Sequence, residues 1–140
     1  NYMKRQKVKA HRDGQVVSIF GRIRRLPLIN NTLEEYSSKA ERQSINAPIQ
    51  GAASDLCQYS LSKIEQNLLE NNYKSIPVIT VHDSILVDCP SESEVAEVEN
   101  LIEYVCTKQL PQQIVNSGVP IVVDMKRLKR WGGENLRKKK

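Results

Sequence analysis

The clearest hydrophobic pattern in the chain lies between Pro48 and Leu68. Apolar side chains recur there at intervals of three and four residues, which is the spacing of one face of an amphipathic helix. Because proline is favoured in the first turn of a helix and is costly further inside, Pro48 predicts the start of this helix, which we place at residues 48–70. A separate helix is predicted before it, capped near Asn31 and Thr32.

A different pattern occupies residues 78–89, "VITVHDSILVDC". Two aliphatic runs, 78–81 and 85–88, flank a central His-Asp-Ser, which predicts a hairpin with the polar residues at its tip. Strands joined this tightly must be antiparallel. We therefore expect Asp83 to contact solvent while the packed strands behind it keep it in place.

The remaining elements are shorter. The pattern predicts a basic opening helix, a strand at 15–20, a basic turn in "GRIRRLPLI", a helix with a Ser91–Glu94 capping box, and a last strand in "SGVPIVVDM". After the opening helix the order is β-α-α-β-β-α-β. It predicts an α+β fold in which helices pack on one face of a small antiparallel sheet.

The charge of the chain is unevenly distributed. Residues 1–25 and 126–140 contain 16 of the 21 Lys and Arg residues and only two acids, whereas residues 26–125 contain five bases and 14 acids. Such asymmetry favours an electropositive surface for a polyanion beside an acidic face. Solvated basic tails are the simpler explanation at the C-terminus, where we expect residues 132–140 to be disordered. No apolar run approaches the length of a membrane span.

Two groups of residues have the chemistry of a nucleotide site. A carboxylate held at an accessible, rigid point, as expected for Asp83, is what a catalytic Mg²⁺ requires, since this ion takes one or two carboxylates together with phosphates and waters. Arg42, Asn46 and Gln50 are four residues apart and carry N–H donors that suit the acceptors of a duplex minor groove. Considered on its own, Asp83 is explained equally well as an ordinary turn residue, and the Arg42, Asn46 and Gln50 group as a solvated helix face.

Three motifs together resemble family A DNA polymerases, the DNA polymerase I group. They are "SIFGRIRRLP", "ERQSINAPIQGAASDL" and "VITVHDSILVDCP", and they occur in the order and near the spacing typical of that family. The ending "GVPIVVDMKRLKRW" is also similar to the C-terminal motif of that family. The resemblance covers essentially all of residues 1–140 and implies the C-terminal portion of a polymerase palm, a partial domain.

The resemblance implies a role for each matching residue. Asp83 corresponds to a palm carboxylate that binds two catalytic Mg²⁺ ions, and His82 to a residue at the primer end. The implied DNA contacts are Arg42, Asn46 and Gln50 near the active site, and Arg22 and Arg24 in the basic turn. Asp55 matches an acid that we interpret as structural.

The implied activity is DNA-directed DNA polymerisation, that is, template-directed nucleotidyl transfer to a primer 3′-hydroxyl. Primer–template DNA and dNTP are the implied partners. The first palm aspartate and the fingers helix that binds the triphosphate are absent from these residues, so we expect a further polymerase segment to supply them and the chain to be inactive alone. A bacterial cell or a phage-infected host, in its cytoplasm, is the expected location.

Two alternatives remain at this point. One is a noncatalytic DNA-binding palm remnant. The other is a relative of single-subunit RNA polymerases, because Ser84 stands where the DNA polymerase family usually has Glu and those enzymes have His-Asp-Ser at this hairpin.

Overall fold

The computed structural model describes residues 1–130 and residue 132. It is a mixed α+β structure with two separate two-stranded sheets, β1–β2 and β3–β4, which confirms the predicted fold class but not a single sheet. The elements in chain order are α1 (Tyr2–Asp13), β1 (Gln15–Val17), β2 (Ile23–Arg25), α2 (Glu34–Glu70), β3 (Ile76–Val81), β4 (Ser84–Asp88), α3 (Val95–Thr107) and α4 (Gln112–Ser117).

The chain divides into two compact units. One contains residues 1–62 and 78–86, and the other contains residues 63–77 and the chain from 87 onward. None of the described helices combines the length and the apolar character needed to cross a membrane.

The first unit is built around a small apolar core. Helix α1 ends at Gly14, whose φ of +65° suits glycine and whose N–H donates to the Ala10 carbonyl at 2.8 Å. Strand β1 then pairs antiparallel with β2, with Val16 opposite Arg24. The core side chains come from α1, β1, the loop after β2 and α2, and are Ala10, Val16, Leu26, Ile29 and Ala40.

Strand β2 corrects the prediction of a plain turn in "GRIRR". The predicted strand 15–20 ends at Val17, and the chain reverses through Ser18, whose N–H donates to the Arg22 carbonyl at 2.9 Å. All three side chains of β2 are exposed. Because a strand without a buried face has no apolar alternation, the sequence pattern gave no sign of it.

Helix α2 corrects the predicted boundary at Pro48. One helix runs without interruption from Glu34 to Glu70 and contains Pro48 in its interior. The proline ring is buried, so packing offsets the loss of one backbone N–H at this point. Before the helix, the Asn31 side chain accepts a hydrogen bond from the Leu33 N–H at 2.9 Å, consistent with the cap expected there.

The second unit contains α3 and α4, and two predictions about it were wrong. The Ser91–Glu94 capping box does not form: α3 begins at Val95, and the Glu94 carboxylate accepts from the Lys74 N–H and the Ser75 hydroxyl, both at 3.1 Å. This longer-range pairing replaces the local cap.

The last strand, expected in "SGVPIVVDM", is also not formed. Residues 119–127 belong to no strand, and Val122 is 88% exposed. A strand requires a ladder partner, and no described strand pairs with this segment. Apolar alternation alone is not sufficient where such a partner is missing.

Candidate nucleic-acid interface

The hairpin places Asp83 at an exposed tip, as its sequence predicted. Strands β3 and β4 are joined by a two-residue turn formed by His82 and Asp83. His82 has a φ of +57°, a backbone conformation that non-glycine residues adopt uncommonly. Both side chains are exposed, and Asp83 makes no hydrogen bond or ion pair with any described residue. Its carboxylate is therefore free to bind a ligand from solvent.

The tip of the hairpin lies close to helix α2. Burial raises the pKa of the Cys57 thiol, and the negative charge of Asp83 raises it further. At 100° per residue, Cys57 lies within about 60° of Arg42, Asn46 and Gln50 around the helix axis. Asp83 therefore lies near the part of α2 that contains Cys57, seven residues beyond Gln50.

An open groove of about 800 Å³ lies along α2 and β2. Five of the six residues predicted to contact DNA through the resemblance line it, namely Arg22, Arg24, Arg42, Asn46 and Gln50, whereas His82 does not. Among the described lining residues, four are Arg or Lys and none is Asp or Glu. A concave surface with this sign of charge attracts a polyanion.

Chain proximity and helical periodicity place these side chains together. Arg24 lies in strand β2, and Arg22 lies directly before it, in the turn that joins β1 to β2. The α2 residues recur every three or four positions and share one helix face. The groove is therefore formed by one edge of a hairpin and one stripe of a helix within a single compact unit.

Arg22 differs from the other groove arginines because it is held by Asp55. Its Nε lies 3.1 and 3.2 Å from the two carboxylate oxygens, and its terminal nitrogen also contacts the carboxylate. Hydrogen bonding to Arg22 lowers the pKa of Asp55, and the same contact raises the pKa of Arg22. This agrees with the structural interpretation of Asp55. Arg24 and Arg42 have no ion-pair partner within the described part of the chain.

Sequence reasoning missed two polar residues of the groove, Lys39 and Gln43. Lys39 lies three residues before Arg42, and Gln43 lies three before Asn46. Helical spacing would have found both, because Lys39 extends the stripe toward the N-terminus of the helix and Gln43 lies within the stripe, next to Arg42.

The hairpin acid fits a hard metal ion. In the residues that the structure describes, no three His, Cys, Asp or Glu side chains come together as a metal site. The accessible carboxylate oxygens of Asp83 nevertheless have the chemistry that Mg²⁺ prefers, and this ion commonly takes one or two carboxylates while phosphates and waters complete its shell.

Comparison with known proteins places the chain in a family. The family model described as DNA polymerase family A matches residues 1–133. The chain belongs to DNA polymerase family A. Ser84 is thus a departure within a family of DNA polymerases.

Individual members of DNA polymerase family A agree with this assignment. The chain is 34% identical to DNA polymerase I of Caldicellulosiruptor bescii over 125 residues, covering 89% of this chain and 14% of that protein. It is 42% identical to a DNA polymerase of Bacillus phage SP01 over 90 residues, covering 64% of this chain and 10% of that protein. The chain therefore spans only about a seventh or less of these relatives.

A solved structure resembles the fold. It is the POL domain of Pol1 from M. smegmatis in complex with DNA primer-template and dNTP, with a TM-score of 0.76 and 29% sequence identity. The match covers 86% of this chain and 20% of that one. The α+β arrangement described above is thus that of part of a polymerase domain.

Proposed function

We propose that this chain is the C-terminal palm portion of a family A DNA-directed DNA polymerase. Its function is template-directed attack of a primer 3′-hydroxyl on the α-phosphate of a dNTP, with release of pyrophosphate. The observation that carries this proposal is that five predicted DNA contacts line one cationic groove, while Asp83 is exposed at the tip of the β3–β4 hairpin.

Each residue has a distinct part in this function. Asp83 is the metal-binding and catalytic carboxylate, kept accessible by the two-residue turn. When bound there, Mg²⁺ supplies charge neutralisation for phosphoryl transfer. His82, its neighbour in the turn, contacts the primer end.

The groove residues hold the duplex. Asn46 and Gln50 present side-chain amides, which suit the acceptors that every base pair offers in the minor groove. Arg42, Arg24 and the anchored Arg22 present guanidinium groups, which suit phosphates. Contacts of this kind position a duplex without selecting a sequence.

The remaining parts of the active site come from another polymerase segment. Two-metal transfer requires carboxylates around a metal pair about 3.5–4 Å apart, and Asp83 alone does not provide them. We infer that a segment with the first palm aspartate and the fingers helix completes the site and binds the dNTP. The chain alone should bind duplex DNA weakly and should not extend a primer.

A chimera tests the catalytic role of Asp83. This chain replaces the matched region of Caldicellulosiruptor bescii DNA polymerase I, and primer extension and duplex affinity are measured with Mg²⁺ and dNTPs. We expect Asp83→Ala to abolish extension while leaving duplex affinity largely intact. The matched control is Asp88→Ala, which removes an exposed carboxylate of the same hairpin and should retain activity.

The results separate the proposal from its alternative. Near-normal extension by the Asp83→Ala chimera would show that Asp83 is not the catalytic carboxylate. It would favour the alternative that this chain is a noncatalytic DNA-binding palm remnant. Robust extension by the 140-residue chain alone would contradict the proposal that another segment is required.

A further inference from the structure

Lys39 lies in the groove beside the residues that the resemblance identified. It is exposed and lines the same cavity as Arg42, Asn46 and Gln50. At 100° per residue, these four side chains fall within an arc of about 80° around the axis of α2. Lys39 is therefore part of one continuous stripe and is the lining residue nearest the N-terminus of α2.

The ammonium group of Lys39 has no ion-pair partner within the described part of the chain. Glu35 precedes it by four residues, a spacing that favours an ion pair between Glu and Lys on a helix. No such pair forms, and Lys39 makes no hydrogen bond with any described residue. By contrast, Lys7 lies 2.6 Å from the Glu41 carboxylate. An unneutralised ammonium in a groove without acids is available to an anion from outside.

The order of side chains along α2 indicates which part of a duplex Lys39 meets. The lining residues of the helix run from Lys39 to Gly51, a rise of about 18 Å. Amides occupy the middle and the C-terminal end of this wall, where Asn46 and Gln50 suit base edges. The cations Lys39 and Arg42 occupy its N-terminal end, and a compact ammonium binds phosphate as a point charge.

We propose that Lys39 contacts a backbone phosphate of the duplex and extends the DNA interface one helical turn beyond Arg42. This inference rests on the proposed function, since it assumes that duplex DNA occupies the groove. The contact is electrostatic and independent of sequence. It adds a residue that the family resemblance did not assign.

The salt dependence of duplex binding tests the contact. The 140-residue chain and its Lys39→Gln, Lys39→Arg and Lys63→Gln variants are titrated onto a fluorescently labelled DNA duplex over a series of KCl concentrations. Lys63 is the matched control because it lies on the same helix but does not line the groove. Glutamine and lysine have similar helix propensities, so α2 should be preserved.

We expect Lys39→Gln to weaken binding at low salt and to reduce the slope of log K against log salt by about 0.9, the value for one phosphate contact. Lys39→Arg should retain the slope, and Lys63→Gln should match the parent chain. If Lys39→Gln also matches the parent while Arg42→Ala and Asn46→Ala weaken binding, the proposed Lys39 contact is wrong, but the groove is still the DNA-binding surface. If none of these variants changes binding, both proposals about the groove fail.

Discussion

At the scale of single residues, His11 is held between two oxygen acceptors. Its Nδ1 lies 2.7 Å from Asn30 Oδ1, and its Nε2 lies 2.9 Å from Glu41 Oε1. The Asn30 amide donates its own N–H to the His11 carbonyl, which fixes the oxygen toward the ring. Since both ring nitrogens face acceptors, the geometry favours the protonated imidazolium.

These contacts raise the pKa of His11 and lower the pKa of Glu41. Hydrogen bonds to Glu41 and then Asn30 raise the pKa of His11, although desolvation and nearby Lys7 oppose this. Hydrogen bonds from Lys7 and then His11 lower the pKa of Glu41. The His11 contribution to stability is therefore present below its unfolded pKa of about 6.5 and is lost as pH rises through its raised folded value.

Stability should thus depend on pH through His11. We expect the free energy of unfolding in urea to fall by less than about 1 kcal/mol as pH rises above about 6.5, because solvent screens this partly exposed pair. His11→Ala should remove that dependence. His82→Asn is the control, since His82 is the other histidine of the chain and asparagine tolerates its positive φ. An unchanged pH profile in His11→Ala would contradict this assignment.

At the scale of elements, Gly51 sets the approach of the β1–β2 turn to helix α2. A Cβ atom at this position would lie 3.4 Å from the Arg22 Cδ and 3.8 Å from the Ser18 Cβ. A methyl group therefore just fits, whereas a larger side chain would meet the aliphatic part of Arg22. Arg22 is in turn held by Asp55 one turn further along the helix.

Two substitutions at Gly51 should have different effects. Gly51→Ala should raise the free energy of unfolding by up to about 1 kcal/mol, the difference in helix propensity. Gly51→Val should lose this gain and weaken duplex binding, because its branched side chain displaces Arg22. Thermal unfolding and duplex titration of both variants measure this. Equal duplex affinity for Val and Ala would show that Arg22 is not displaced.

The elements also show what the sequence could predict. The hairpin and the polar stripe follow short-range periodicities, so their placement was predictable. Strand β2 and the segment "VPIVV" depend on whether a partner strand is present, which local pattern does not encode. The continuity of α2 through Pro48 depends on burial of the proline ring, a tertiary effect that outweighs its local preference. The Arg22–Asp55 pair joins residues 33 apart, which only the folded chain brings together.

At the scale of the whole molecule, the position of charge should matter more than its total. Replacing Arg24, Lys39 and Arg42 by Gln lowers the net charge of +5 by three and should reduce the slope of log K for duplex binding by about 2.7, or 0.9 for each phosphate contact. Replacing Lys138, Lys139 and Lys140 by Gln changes the charge equally. This control lies in the basic tail, whose residues 133–140 are outside the described structure, so the prediction of disorder there stays a prediction.

The two triple variants are compared by salt titration of the same labelled duplex. We expect the groove variant to lose clearly more affinity and slope than the tail variant. Equal losses would mean that net charge alone governs binding and that the groove has no special part in it.

The division into two units limits which pieces of this protein proteolysis can release. The backbone passes between the units after residues 62, 77 and 86, and these three points lie inside α2, β3 and β4. Proteases cut most readily at exposed loop tips, and none of these junctions is a loop. Neither unit can be released as an intact piece by a single cleavage.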